Sequence, residues 1–377
     1  MESSLPTRFW NSRYIMMCIM NLLMTATVFM QFPLYVSYSN PLVTLFSVSM
    51  FVLGMFLPGP FNAYLVDRYR RKGVCELSLM AFIAASFNIL FASNLVTLTV
   101  VRLVQGASFG LFQMSLGGTL INDLSISKRR TATDYFFTWF GLFGIPVGVI
   151  LSTCFRGSSY EPYIPYVFIG MPVLVLMMLL SVRVPFRAPN KVPVLSLDRF
   201  FQPRAAVLIL NLIPTAIIPG MFVTGTYPYI LLTMMCAGLV VGFMVHRIFF
   251  VEADYRADSV AGYLLVICAM FMLLNPGETR ILYVAFIFLG VGIGWVESRI
   301  LLYFLKMSEH CQRGTLQQTF VLMLYVGIAL GFYLGTLPLN HYILVIILAV
   351  ASLILFLLVT QPWFRRIKGR EFKFKEV

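Results

Sequence analysis

Charged residues are scarce in this sequence. Only 11% of the 377 residues are Asp, Glu, Lys or Arg, whereas 59% are hydrophobic and the mean hydropathy is +0.86. A soluble domain of this length could not bury so many apolar side chains, because surface-to-volume scaling limits the size of its interior. The composition therefore excludes a soluble globular protein and predicts an integral membrane protein with several spans.

The signatures of common enzymes and metal sites are also missing. The sequence lacks the phosphate-binding pattern G-x-x-x-x-G-K-[ST]. Its match to the nucleophile pattern G-x-S-x-G, at residues 106–110, lies inside an apolar run and not at a strand-to-helix turn, so it does not indicate a hydrolase. Its three histidines lie far apart, and its six cysteines show no C-x-x-C spacing. We therefore predict that the protein is not an enzyme, does not hydrolyse ATP and holds no cofactor or metal.

Acidic residues are outnumbered by basic ones, 15 to 28, which gives a formal net charge of +13. The basic residues are spread over loops between apolar runs, and no basic domain could hold a nucleic acid duplex. Attraction to an anionic lipid surface explains this pattern better. We expect the lipid bilayer as a partner, and no nucleic acid.

Twelve continuous apolar runs predict an all-α protein with twelve transmembrane helices. Each run is near the ~20 residues that a helix needs to cross a bilayer. The runs do not alternate apolar with polar residues, which argues against a barrel. They cover residues 14–36, 42–65, 74–93, 95–122, 132–154, 163–184, 204–223, 226–250, 259–275, 280–305, 315–337 and 341–361.

The distribution of basic residues predicts the topology. With both termini in the cytoplasm, only Arg156 and Arg280 fall in outer loops, while Arg102 and Arg299 fall within spans. All other basic residues then lie on the cytoplasmic side, as expected from the preference of Lys and Arg for cytoplasmic loops. The outer loops are short and lack the N-x-[ST] glycosylation pattern, which favours a bacterial inner membrane.

The longest connection, 185–203, predicts a division into two bundles of six helices. Residues 1–184 form the first bundle, 185–203 a cytoplasmic linker, and 204–377 the second bundle with a basic cytoplasmic tail. Two sequence echoes support a duplication. The segment that begins at Asn21 in span one is similar to the segment that begins at Asn211 in span seven. At equivalent positions, span four carries Gly106, Gly110 and Gln113, and span ten carries Gly290, Gly294 and Glu297. Internal repeats of this kind are common in secondary transporters.

Three motifs resemble those of the major facilitator superfamily. Residues 62–73 resemble its signature loop, with Asp67, Arg68, Arg71 and Lys72 at the charged positions. The segment 102–106 resembles its R-x-x-Q-G motif, and 123–130 its acid-to-arginine connection. The segment 141–148, with Gly144, Pro146 and Gly148, is similar to a glycine–proline motif of its export-type antiporters.

This resemblance implies two pseudo-symmetric six-helix bundles and a cytoplasmic gate. The gate would comprise Asp67, Arg68, Arg71, Asp123 and Arg130, with Arg71 meeting Asp123. Asp67 would face the start of helix eleven near residues 314–315, where an acid is favoured by the helix dipole. The alternative is that these charges only anchor the topology.

Two ionisable residues inside spans are candidates for proton coupling or substrate binding. Glu297 lies in the middle to inner third of span ten, where burial favours the neutral carboxyl and so permits proton exchange. A static ion pair is the alternative, although Arg299 lies on another helix face. Arg102 lies about eight residues into span four, and either extends towards the outer interface or faces the central cavity.

Uncharged polar residues within the spans are further candidates for lining the cavity. These are Asn21, Gln31, Gln113 and Asn211, and the repeat favours Gln113 opposite Glu297. Hydrogen bonding between helices is the alternative for all four. Asp134, at the start of span five, is expected to have a structural role at the helix amino terminus.

The sequence thus predicts a monomeric secondary transporter that works by alternating access on a small-molecule substrate. Efflux of a small organic solute in exchange for protons is the leading hypothesis, with sodium as the alternative ion. Proton-coupled uptake of a nutrient or metabolite is the second hypothesis. A membrane receptor or assembly factor that does not transport is a third.

Overall fold

The computed structural model describes residues 10–36, 41–91, 94–124, 130–184, 193–248, 255–274, 277–307 and 312–374. Within these ranges the chain folds into helices joined by short turns, and they contain no β-strand. This all-α architecture was predicted from the apolar runs. It follows from the need of each segment in a bilayer to satisfy its own backbone hydrogen bonds.

Among the residues that the structure describes, the first half of the chain contains seven long helices. Helix α5 continues through a π-helical turn, Leu116–Leu120, into the short helix Ile121–Leu124. The helices are α1 Ser12–Gln31, α2 Pro41–Phe56, α3 Gly59–Arg68, α4 Arg71–Asn88, α5 Leu95–Ser115, α6 Arg130–Phe155 and α7 Ile164–Ser181.

The described ranges of the second half likewise contain seven long helices. A π-helical turn, Phe356–Thr360, joins the last two helices. They are α8 Ala206–Phe222, α9 Tyr229–Ile248, α10 Tyr255–Leu274, α11 Thr279–Met307, α12 Arg313–Leu334, α13 His341–Leu355 and α14 Gln361–Phe374.

In the described part of the chain, ten helical segments are long and apolar enough to cross a membrane. The bent pair α2 and α3 makes eleven if it is counted as one span, and the apolar segment Tyr229–Val245 in α9 is shorter. The bend of 45° falls where Pro58 and Pro60 flank Gly59, because proline interrupts the hydrogen bonds of a continuous helix. The chain is therefore an integral membrane protein, and the number of twelve spans stays a prediction.

The glycines of the second sequence echo occupy equivalent contacts in the two halves. A Cβ atom on Gly106 of α5 would collide with the carbonyl oxygen of Phe51 in α2. On Gly290 of α11 it would collide with the carbonyl oxygen of Met235 in α9. These glycines allow the backbones of neighbouring helices to approach closely. The same helix pairing in both halves supports an internal repeat.

The two halves meet along two seams. On one side α6 packs against α9, where Phe243 contacts Trp139 with ring centroids 4.9 Å apart. On the other side α2 packs against α12. We call the end of the bundle that carries Asp67 the Asp67 end, and the opposite end, which carries Pro33, the Pro33 end. The sequence predicts that the Asp67 end is cytoplasmic.

Candidate functional site

Glu297 lies at the interface between the halves, in the wall of a small cavity. The cavity has a volume of about 30 Å³, and its other walls are almost entirely apolar. Leu142, Ile145 and Pro146 of α6 line it from the first half, and Ile293 of α11 lines it beside Glu297. A space of this size holds about one water molecule and excludes an organic solute. The structure is therefore closed around Glu297.

The Glu297 side chain is 3% exposed. No hydrogen bond or ion pair to its carboxylate occurs among the residues that the structure describes. Arg299, two positions further on, forms an ion pair with Asp258 of α10. Glu297 and Arg299 therefore do not form the static ion pair considered as the alternative, because their side chains leave the helix on different faces.

A second cavity, of about 20 Å³, is lined by Asn21 of α1 and Gln113 of α5. The Gln113 amide donates a hydrogen bond of 2.7 Å to the Asn21 carbonyl oxygen, and Asn21 donates to the backbone carbonyl of Phe137. Both cavities share Leu142 and Ile145 in their walls. The structure therefore places Gln113 in a neighbouring cavity to Glu297 and not directly opposite it.

Helix α12 closes the interface near the Asp67 end. The side chain of Gln317 donates to the Thr138 hydroxyl at 3.0 Å, and that of Gln318 donates to the backbone carbonyl of Gln113 at 3.0 Å. Nearer the end of the bundle, a Cβ atom on Gly314 would lie 2.8 Å from the carbonyl oxygen of Gly118. These contacts join the two halves and would have to break for the Asp67 end to open.

The charged residues of the signature loop form a network at this end. Arg71 donates to both carboxylate oxygens of Asp123, at 2.8 and 2.6 Å, and to Asp67 at 2.8 Å. Asp67 also accepts a hydrogen bond of 2.6 Å from the Arg199 guanidinium. The Arg71–Asp123 contact is the one that the family resemblance implies, whereas the Arg199 contact comes from the predicted linker.

Arg199 connects this network to the second half. Its backbone N–H donates to the Thr315 hydroxyl at 2.9 Å, and its carbonyl accepts from the Asn62 amide at 2.9 Å. The Thr315 hydroxyl in turn donates to Asp198 at 3.3 Å. Asp67 therefore reaches the start of α12 through Arg199, and Asp198 makes the contact with Thr315 that was expected of Asp67.

The other two members of the predicted gate lie outside these ion pairs. Arg68 is exposed, and its guanidinium stacks on the ring of Tyr64, 5.0 Å from the centroid. Arg130, the first residue of α6, lines a separate polar cavity together with Arg71 and Asp123. The structure brings Asp67, Arg71 and Asp123 together and leaves Arg68 at the surface.

Arg102 is fully buried near the Pro33 end. Its guanidinium donates to the backbone carbonyl of Ser47 at 3.1 Å and to the side chains of Gln105 and Gln31, at 2.9 and 3.3 Å. It also lies about 5 Å from the ring centroids of three aromatic residues, a favourable arrangement for a cation. Those residues are Phe32, Tyr35 and Phe51. Arg102 is thus held by contacts within the first half and does not extend to the surface, and Gln31 serves as one of its partners.

Asn211 does not face the first half. Its amide donates to the backbone carbonyl of Ser352 in α13 at 2.9 Å, and its carbonyl oxygen accepts from the Tyr263 hydroxyl of α10 at 3.3 Å. These are hydrogen bonds within the second half. Asn211 therefore forms hydrogen bonds between helices, which was the alternative to lining the cavity. Asn21, at the equivalent position of the sequence echo, lines a cavity between the halves.

The glycine–proline motif of α6 has two faces. Gly144 and Gly148 pack against α1, where a Cβ atom would lie within about 2.5 Å of the carbonyl oxygens of Leu22 and Ala26. Pro146 faces the other way and lines the Glu297 cavity. The motif thus positions α6 between α1 and the interface.

Sequence reasoning missed several residues at the interface. Gln317 and Gln318 are uncharged amides in an apolar helix, the same signal that drew attention to Gln113. Arg199 lies in the segment 185–203, which the sequence predicts only as a linker between the halves. No local pattern announces its pairing with Asp67, which lies 132 positions earlier in the chain.

Comparisons with known proteins agree with this architecture. The profile of a family described as "Sugar (and other) transporter" matches residues 13–185. The crystal structure of the human organic anion transporter MFSD10 (TETRAN) has a TM-score of 0.69 and 14% sequence identity, and the match covers 92% of this chain and 99% of that one.

The crystal structure of a bacterial homologue of the iron transporter ferroportin, in an outward-facing state, gives a TM-score of 0.63 and 13% identity. That match also covers 92% of this chain and 99% of the other. At these identities the likeness establishes a shared fold. The search among curated protein sequences returned no match.

Proposed function

We propose that this chain is a member of the major facilitator superfamily of membrane transporters and exports a small organic solute in exchange for protons. The match of the transporter family model to residues 13–185 and the fold shared with two transporters support a function in transmembrane transport and not in catalysis. The direction of transport, the coupling ion and the class of solute are further parts of the proposal. The observation that carries the proposal is the buried carboxylate of Glu297 in the wall of the cavity between the halves.

Glu297 has the properties that a proton carrier requires. Its carboxylate is 3% exposed, and within the described residues no cation or hydrogen-bond donor compensates its charge. Burial without a partner favours the protonated form, so the group can take up a proton when the site opens to water on one side. It can release that proton when the site opens on the other side. Competition between proton and solute at one site couples their movements in opposite directions.

The contacts between the halves suit alternating access. At the Asp67 end, the links from α12 and from Arg199 hold the halves together. Towards the Pro33 end, aromatic rings cross the same interface, with Phe32 and Phe332 5.4 Å apart and Phe29 and Tyr325 5.5 Å apart. A solute can reach the Glu297 cavity only if one of these two sets of contacts separates. The proposed cycle alternates between opening one end and opening the other.

The walls of the two small cavities favour an amphipathic solute. The Glu297 cavity is apolar apart from one carboxyl group, and its neighbour adds the amides of Asn21 and Gln113. Export is favoured by the similarity of the α6 motif to that of export-type antiporters. Uptake by the same fold remains the second hypothesis, and the two differ in the direction of coupled flux.

The experiment that tests proton coupling compares matched glutamate variants in proteoliposomes that contain a pH-sensitive dye. A panel of metabolites and drugs is screened for proton flux that depends on the solute. We expect such flux in the wild type and in Glu278→Gln, an exposed residue just before α11. We expect none in Glu297→Gln. Unchanged proton flux in Glu297→Gln would exclude Glu297 as the carrier.

Two further arms separate the alternative functions. Inverted vesicles accumulate an exported solute when they are energised, whereas right-side-out vesicles accumulate one that is taken up. Replacing the proton gradient by a sodium gradient identifies the coupling ion. Saturable flux of any solute excludes a receptor or assembly factor without transport activity.

A further inference from the structure

A second kind of cavity lies at the Asp67 end, outside the Glu297 site. Its volume is about 270 Å³, and four arginine side chains line it, together with Asp123. The arginines are Arg71, Arg130, Arg199 and Arg313. We infer that this cavity binds an anion that carries a phosphate group, and that the bound anion stabilises the closed interface at this end.

Two of the guanidinium groups around the cavity form no ion pair with a carboxylate in the described structure. Arg71 and Arg199 already share Asp67 and Asp123 in the ion pairs described above. In the described part of the chain, Arg130 and Arg313 form no ion pair, and the Nε atom of each is buried without a hydrogen-bond acceptor. Buried guanidinium donors without acceptors are costly, and an anion would supply the acceptors.

One more carboxylate lies near these two arginines. Asp134 of α6 is fully buried and close enough to Arg130 and Arg313 to interact with them electrostatically. Neither of its oxygens has a hydrogen-bond partner in the described structure. Because Asp134 does not line the cavity and makes no direct ion pair with either arginine, it leaves their donors available to a ligand.

The start of α12 adds backbone donors to the same space. Arg313, Gly314 and Thr315 are the first three residues of this helix and line the cavity. Gln312, the residue before them, makes no side-chain cap on the helix. Free N–H groups and the positive end of the helix dipole favour an anion here. Two forked guanidinium groups and several backbone N–H donors offer more hydrogen bonds than the two oxygens of a carboxylate accept in a bidentate contact, and a phosphate group supplies further acceptor oxygens.

The position of the cavity connects its occupancy to the gate. Arg130 belongs to the first half, Arg199 to the connection between the halves, and Arg313 to the second half. An anion that contacts all three binds the closed form and loses contacts when the halves separate. By linkage, such a ligand shifts the equilibrium towards the closed Asp67 end. Free phosphate and the headgroup of an anionic phospholipid share this chemistry.

The test uses the purified full-length protein and its thermal unfolding midpoint. In detergent, inorganic phosphate is titrated at constant ionic strength against sodium chloride. In lipid nanodiscs, phosphatidylglycerol in phosphatidylcholine is compared with phosphatidylcholine alone. We expect a saturable rise in the midpoint in at least one arm for the wild type and for Arg365→Gln, an exposed arginine at the same end.

The variants decide whether the rise comes from this cavity. In Arg313→Gln we expect the apparent affinity for phosphate or phosphatidylglycerol to be about tenfold weaker. A change of this size corresponds to the loss of one charge-assisted hydrogen bond. Arg130→Gln should behave in the same way and replaces Arg313→Gln if that variant does not fold. A rise with phosphate identifies a free anion, and a rise only with phosphatidylglycerol identifies a headgroup. If neither arm shows a rise that depends on Arg130 or Arg313, the inference is wrong. The outcome does not depend on whether Glu297 carries protons.

Discussion

Each half of the molecule pairs an arginine with an aspartate, but the two pairs have different surroundings. In the first half, Arg71 contacts Asp123 and also joins Asp67, which Arg199 links to the start of α12. In the second half, Arg299 of α11 pairs with Asp258 of α10, and both helices belong to that half. The first pair is part of a connection across the interface, whereas the second holds one half together. The two halves thus share the same helix pairing but differ in their electrostatics.

The largest effect should come from breaking the pair within the second half. Arg299 is 2% exposed, so Arg299→Met removes a buried guanidinium that pairs with the carboxylate of Asp258. We expect a loss of about 3–5 kcal/mol in the free energy of unfolding. The thermal midpoint in detergent measures it. The double variant Asp258→Asn with Arg299→Met should recover much of the loss, and no recovery would show that packing of Arg299 dominates.

The second effect tests what the halves have in common. Gly290→Ala and Gly106→Ala place a methyl group against a backbone carbonyl of the neighbouring helix, so both should destabilise by about 1–3 kcal/mol. Gly170 of α7 has open space around it, and Gly170→Ala is the matched control. Similar losses in Gly106→Ala and Gly290→Ala, with none in Gly170→Ala, would establish that the packing is duplicated. A loss in only one half would break the symmetry of the glycine contacts.

The sequence was sufficient for the helices and for part of the first network. Long apolar runs predict helices because the bilayer leaves the backbone no other partner. The signature loop located Asp67 and Arg71, and the family resemblance implied the contact with Asp123. The sequence was also sufficient to select Glu297, since a carboxyl group within an apolar run is rare.

The orientation of polar side chains could not be predicted in the same way. A span is apolar on the faces that contact lipid and on those that contact other helices, so periodicity does not tell them apart. Asn21 and Asn211 occupy equivalent places in the sequence echo, yet only Asn21 lines a cavity between the halves. Contacts between distant segments, such as Arg199 with Asp67, depend on how the halves dock and leave no local signal.

The third effect concerns the connection across the interface. Asp67→Asn removes the charge that Arg71 and Arg199 share, and Arg199→Gln removes the same link from the other side. We expect both variants to insert and fold. Their transport rate should fall about tenfold, which corresponds to about 1.4 kcal/mol of lost stabilisation of the closed Asp67 end. Solute flux per mole of folded protein in proteoliposomes measures the loss.

A matched variant shows whether that loss belongs to the gate. Arg68 lies in the same loop but stacks on Tyr64 at the surface, so Arg68→Gln should retain transport. Transport at the wild-type rate in Asp67→Asn would contradict a role in the gate. The charged residues would then only anchor the topology of the protein. A loss in Asp67→Asn without one in Arg199→Gln would place the gate contact elsewhere than in the connection to α12.

The smallest effect separates the two asparagines of the echo. Asn211→Ala removes hydrogen bonds to Ser352 and Tyr263 inside the second half, and we expect a loss of about 1 kcal/mol in stability with transport unchanged. Asn21→Ala removes the acceptor of the Gln113 amide in the wall of an interface cavity. Its cost in stability should be similar, but KM for the solute should rise, because Gln113 loses the partner that orients it. Thermal midpoints and transport kinetics of both variants measure the difference. If Asn21→Ala and Asn211→Ala change KM equally, the position of Asn21 in the interface cavity does not explain a role in solute binding.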